Sequence, residues 1–219
     1  EIEFAIKNNI KIIVDNNYDL KRLEEISNSL NQDLEIMIRF TPGIECHTHE
    51  YIRTGSFDSK FGFGIEYLNI LFASIRDTRH LKLEGLHAHI GSQIFELEPH
   101  KDLGEIMVKV ILDAKKFGHS IKEVNVGGGL GIKYTENDDP PSIDSWVKTI
   151  SSSVAKACKK NNLDYPILMC EPGRSIVSTA GITIYKIGSF KKVPGVRTYL
   201  SVDGGMSDNP RPITYQSNY

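Results

Sequence analysis

The chain has 219 residues, of which 40% are hydrophobic and 25% charged, room for one large domain or a domain and a half of ordinary globular composition. Its 26 basic and 28 acidic side chains leave a net charge of −2, which excludes the basic footprint of a nucleic-acid or anionic-membrane binder. The three cysteines, Cys46, Cys158 and Cys170, are odd in number and lack metal-type spacing; they read as reduced thiols of a cytoplasmic protein, and no apolar run reaches the length of a membrane span.

Glu1 to Asn8 reads as the end of a helix, so the sequence is expected to be a fragment that starts inside one. Ile10–Asp15 is a short run of β-branched residues, a buried strand. Leu20, Leu23, Ile26 and Leu30 recur at helical spacing, and Leu34–Phe40 is the next strand, stopped by Thr41-Pro-Gly43. A loop of roughly 20 residues follows, longer than a compact domain keeps without purpose. Ile65, Leu68, Leu71, Phe72 and Ile75 mark a helix, Leu83–Ile90 a strand. Leu103, Ile106, Met107, Val110, Ile111, Ala114 and Phe117 give the cleanest helical face, closed by Gly118. Ile121–Val126 is a strand; Ile143, Trp146, Val147, Ile150 and Val154 form a helix with Ser142 as N-cap; Tyr165–Cys170 is the last strand of the series.

Strands alternating with helices argue for an α/β fold with a parallel sheet. A complete (β/α)8 barrel uses eight strands and about 250 residues. Five units starting mid-helix fit the last five of such a TIM-type barrel, over residues 1–178. From residue 179 to 219 the pattern changes: Gly181–Gly188 and Val196–Asp203 read as strands without a helix between them, the start of a β domain.

Three strand ends carry chemistry, and in parallel α/β proteins such ends share one face. Gly127, Gly128 and Gly129, with Gly131, fit neither a dinucleotide fingerprint nor a P-loop. They offer backbone N–H groups suited to a phosphate; a tight turn is the alternative. Glu171 can act as acid, base, metal ligand or partner of a protonated ring nitrogen, and Arg174 can take a phosphate or carboxylate; a structural Glu–Arg pair competes with these. His87 and His89 point to one face of their strand, where they can bind a metal, stack on a flat cofactor ring or be rim histidines, and Ser92 can cap a phosphate. Cys46-His-Thr-His-Glu50 has metal-binding residue types but no second half elsewhere, and reads as a polar loop.

The stretches His89-Ile-Gly-Ser-Gln93, Gly127-Gly-Gly-Leu-Gly131, Glu171-Pro-Gly-Arg-Ser-Ile-Val177 and Asp203-Gly-Gly-Met-Ser-Asp-Asn-Pro-Arg-Pro212 resemble the diaminopimelate decarboxylase family, as do Tyr51-Ile-Arg-Thr-Gly55 and Lys60-Phe-Gly62. The resemblance covers the whole chain in the family's order. It implies a (β/α)8 barrel binding pyridoxal 5'-phosphate, followed by a C-terminal β domain, and decarboxylation of meso-2,6-diaminopimelate to L-lysine. By the same resemblance His89 stacks on the cofactor ring, Ser92 and Gly127–Gly129 hold its phosphate, and Glu171 pairs with its ring nitrogen. Arg39 faces the ring's hydroxyl side. Arg174 lies near phosphate and substrate; Arg211 and Tyr215 bind substrate. The family's Schiff-base lysine falls before Glu1 and its partner-donated cysteine segment after Tyr219. The resemblance therefore implies no catalytic residue within this chain, an inactive fragment, and a parent enzyme that is a cytoplasmic homodimer with shared active sites, an amino-acid substrate, no nucleic-acid or membrane partner and no metal. An ornithine, arginine or carboxynorspermidine decarboxylase, a non-catalytic cofactor-binding regulator and a sugar-phosphate barrel are the competing readings.

Overall fold

The computed structural model describes residues 1–44 and 59–214. Helix α1 (Ile2–Lys7) leads into strand β1 (Ile12–Val14). Then follow α2 (Asn17–Leu30), β2 (Leu34–Thr41), β3 (Phe63–Gly64), α3 (Leu68–Arg76), β4 (Leu81–His87), α4 (Glu98–Lys116), β5 (Glu123–Asn125), α5 (Ile143–Lys160) and β6 (Ile167–Met169). The main sheet runs β1-β2-β4-β5-β6, every pair parallel, with β3 attached in parallel to the end of β2. Spatial order thus follows chain order, each parallel step bridged by a helical crossover. This is an α/β fold with a parallel sheet, as the alternating pattern predicts.

The local signals hold at the helix ends. Ser142 caps α5 by accepting from the Ser145 N–H at 3.1 Å, and Asn16 caps α2 through the Asp19 N–H at 3.0 Å. Gly118, at φ +90°, follows α4, a conformation that costs any side chain. The core lies between the sheet and α2–α5. Leu23, Phe72, Ile75, Leu103, Met107, Trp146 and Ile150 are buried on the helices against Ile36, Ile38, Leu86 and Val124 of the strands. Each such side chain contributes about 1.5–3 kcal/mol of burial. Met37 folds over Gly85 of the neighbouring strand: a Cβ there would lie 2.6 Å from the Met37 Cγ.

Two readings need correction. The strand expected over Gly181–Gly188 forms instead as β7 (Ile187–Val193), antiparallel to β8 (Arg197–Val202). Ile182 and Ile184 alternate as a strand would, but the partner register is Ile187 with Val202, which pairs only the later segment. This hairpin sends no residue into the buried core. On α5, Ile143 and Val147 are exposed, so the buried stripe is narrower than the apolar spacing suggests. The short α6 (Arg174–Val177), α7 (Arg211–Thr214) and β3 have no periodicity long enough to be read. The Cys46–Glu50 cluster, Tyr51–Gly55 and Tyr215 lie outside the described residues.

Helices α4 and α5 touch where Gly104 has no side chain. A Cβ at Gly104 would lie 2.6 Å from the Ser153 hydroxyl oxygen, which donates to the Lys101 carbonyl at 2.6 Å. Gly104→Val is expected to cost about 1–3 kcal/mol by overpacking this contact, read as a lower midpoint in chemical denaturation.

Candidate active site

One row of the sheet places the first residues of the site. Arg39 on β2 stands opposite His87 on β4, His87 opposite Asn125 on β5, and Asn125 opposite Met169 on β6. Residues matched across parallel strands face the same way, and two residues on from Met169 is Glu171. Its backbone N–H donates to the Gly127 carbonyl at 2.8 Å, continuing the ladder past the end of β6. Register therefore brings Arg39, His87, Asn125 and Glu171 to one edge of the sheet.

The Glu171 carboxylate takes the Asn125 Nδ2–H at 2.8 Å on one oxygen and lies 3.3 Å from the His87 Nε2 on the other. The Asn125 side-chain oxygen accepts the Gly127 N–H at 2.9 Å. His89 accepts the Gly128 N–H on its Nδ1 at 3.2 Å. The two histidines thus have separate partners. Arg39 lies 3.5 Å from Asp15, over the Phe61 ring at 4.5 Å, and Asp15 also accepts the Gly62 N–H at 3.1 Å. Arg39 is thereby tied to the Lys60-Phe-Gly62 segment.

The glycine run has packing reasons of its own. A Cβ at Gly127 would meet His89 Nδ1 at 2.6 Å, at Gly128 the Glu171 carbonyl oxygen at 2.4 Å, and at Gly129 the Gly91 carbonyl oxygen at 2.5 Å. Gly127 and Gly129 also have positive φ. Three adjacent glycines let the loop lie against both neighbouring strand ends. Gln93 clasps the two loops, donating to the Ile132 carbonyl at 2.7 Å and accepting its N–H at 3.2 Å.

A second group of contacts surrounds Tyr134. Arg174 donates to its hydroxyl at 2.5 Å and to the Ser92 hydroxyl at 3.2 Å. The guanidinium carbons of Arg174 and Arg211 lie 5.8 and 5.4 Å from the Tyr134 ring centre. Asp138 orders this turn by accepting the N–H groups of Tyr134 and Thr135 at 2.9 and 2.8 Å, which holds its carboxyl below the usual range. Of the residues singled out by sequence, Arg39, His89, Ser92, the glycines, Glu171 and Arg174 gather at this end of the sheet, and Arg211 joins them through Tyr134. The sequence reading missed Asn125, Asp15 and Tyr134. Asn125 and Asp15 were detectable as polar residues closing apolar strands; Tyr134 has no local signal.

Residues 1–178 match the sequence model for the pyridoxal-dependent decarboxylase, pyridoxal binding domain. The chain belongs to this family. Among curated relatives, the diaminopimelate decarboxylase of Synechocystis sp. is 55% identical over 219 residues, all of this chain and 47% of that protein. That of Bacillus subtilis is 41% identical over 224 residues, covering 51% of it. The crystal structure of diaminopimelate decarboxylase from Helicobacter pylori complexed with L-lysine superposes with a TM-score of 0.89 at 32% identity, covering all of this chain and 53% of that one. The chain spans about half the length of the curated relatives it matches.

In this chain of the pyridoxal-binding family, burial lowers the proton affinity of His87, His89 and His100. Burial, then the charges of Arg39 and His87, push His89 down to about 4; burial does the same to His100, which meets the Trp146 ring edge-on at 5.6 Å. Both are neutral in the fold, whereas in the unfolded chain they protonate below about 6.5. The unfolded state therefore binds more protons between these values, so stability is full above about 6.5 and falls as pH drops towards about 4, by roughly 1.4 kcal/mol per pH unit for each imidazole. Denaturation midpoints measured from pH 7 to 4.5 are expected to follow that slope, and His100→Leu to flatten it.

Proposed function

We propose that the complete protein decarboxylates meso-2,6-diaminopimelate to L-lysine and carbon dioxide with pyridoxal 5'-phosphate as cofactor. The carrying observation is the strand-end row with Glu171 held between Asn125 and His87. The family match and the names of the relatives support the same reading. In this reading residues 1–178 are five βα units of a (β/α)8 barrel and residues 179–219 open a β domain. The active enzyme is a cytoplasmic homodimer with shared active sites.

The residues present fit the cofactor. The glycine loop lays backbone without side chains against Gly91, next to Ser92. Ser92 and Arg174, already hydrogen-bonded to each other, supply a hydroxyl and a guanidinium for a phosphate. His89 is neutral, and its imidazole can lie against a flat ring. Bound there, pyridoxal phosphate would supply a conjugated ring over which an electron pair can be delocalised. Glu171 favours a proton on the cofactor's ring nitrogen, because a carboxylate stabilises the charged pyridinium. Arg39, pressed downward by burial but supported by Asp15 and Glu171, keeps a positive charge beside that carboxylate. Arg174, Arg211 and Tyr215 would anchor the carboxylate at the far end of an amino diacid, leaving the carboxylate to be lost nearer the ring.

Carbon dioxide release by the complete protein, supplied with pyridoxal phosphate, tests the reading. Release from meso-diaminopimelate, and none from the L,L isomer, ornithine or arginine, is the expected result; release only from ornithine or arginine would overturn the substrate while keeping the cofactor. Tyr134→Phe removes the hydroxyl that Arg174 meets. It is expected to weaken pyridoxal phosphate binding about tenfold, the lower end for a hydrogen bond to a charged group, in an equilibrium titration.

A further inference from the structure

The Asn125 amide can be oriented in only one way. The Gly127 N–H must meet an acceptor, so the amide oxygen faces Gly127 and the Nδ2–H2 group faces Glu171. His87 is equally constrained. Its ring is buried, burial lowers its proton affinity against the opposing pull of Glu171, and it is neutral at pH 7. A bare Nε2 would set two acceptors against each other at 3.3 Å and leave an N–H at the buried Nδ1, which has no partner among the described residues. The hydrogen therefore sits on Nε2, and the bare lone pair on Nδ1.

We propose that His87 and Asn125 are positioning residues for Glu171: two N–H donors, one on each oxygen, pin the carboxylate from the sheet side and leave a free acceptor lobe on each oxygen for a cationic N–H. The Glu171 side chain is 48% exposed, so those lobes are accessible, while the two donors are 4% and 3% exposed. Asn125 does a second thing. Through Gly127 it joins the carboxylate to the glycine loop, so both ends of the cradle share one amide. The pinning stands on this geometry alone; naming the cationic N–H as that of the pyridoxal ring rests on the proposed function.

In the complete protein, Asn125→Asp keeps the shape and the acceptor for Gly127 but turns an oxygen towards Glu171. The dissociation constant of pyridoxal phosphate, read by fluorescence titration, is expected to rise at least about tenfold, the scale of one charge-assisted hydrogen bond, and the visible absorption of the bound cofactor to shift. His87→Gln, which keeps an N–H at the end of the side chain, is expected to retain more affinity than His87→Leu. Wild-type affinity and spectrum in both Asn125→Asp and His87→Leu would overturn the proposal. A cofactor-free readout separates the two readings: nitrogen-15 NMR of the histidines should show His87 as the neutral Nε2–H form, with its Nε2 signal moving on Glu171→Gln. An Nδ1–H form overturns the positioning role even where the cofactor binds. An Nε2–H form in a protein that does not bind pyridoxal phosphate supports the pinning and overturns the functional reading.

Discussion

The site depends on the register of a parallel sheet. Parallel strands cannot be closed by tight turns; each needs a helical crossover, and the crossovers bury both the helices and the strands. Once Ile38 pairs with Leu86, beyond the bulge between Ile36 and Met37, and Val124 pairs with Leu168, the ends of four strands fall into one transverse row. A slip of one residue in any one of these strands would turn its own member of the row, Arg39, His87 or Asn125, to the opposite face. The buried apolar runs that hold the register are therefore as necessary to the site as its polar groups.

Much of this architecture is legible from sequence because buried parallel strands read as short apolar runs and the helices between them carry strong periodicity. The five strands of the main sheet and the long helices all form near their expected places. What escaped has a common cause: it depends on a partner far along the chain. Asn125 and Glu171 are 46 positions apart and meet only after β5 and β6 pair. Tyr134 and Arg174 are separated by 40. The hairpin start was misplaced because two candidate segments alternate equally well and only the pairing with β8 chooses between them.

The glycine run shows how one local feature can answer two demands. Sequence alone left it between a phosphate cradle and a tight turn. Each glycine has a steric reason within the protein, a neighbouring strand end closer than any Cβ tolerates. The N–H groups of Gly127 and Gly128 are already given to Asn125 and His89. The run is thus accounted for within the protein as packing between strand ends.

Charge is ordered along the site in a way that follows from burial. The imidazoles of His87 and His89 lose their protons to desolvation, which leaves the guanidinium groups as the cations with fixed charge. Arg39 stands between Asp15 and Glu171, and its charge is balanced there. Arg174 and Arg211 meet instead over the Tyr134 ring, and Arg174 also donates to the Ser92 hydroxyl. One end of the site therefore presents a carboxylate with acceptor capacity, and the other the Arg174 guanidinium beside the Ser92 hydroxyl. A molecule that is cationic at a ring nitrogen and anionic at a phosphate suits that order in one orientation only, because reversing it would set the phosphate against Glu171 and the cation against Arg174. Orientation of such a ligand would then be set by electrostatics before any close contact is made.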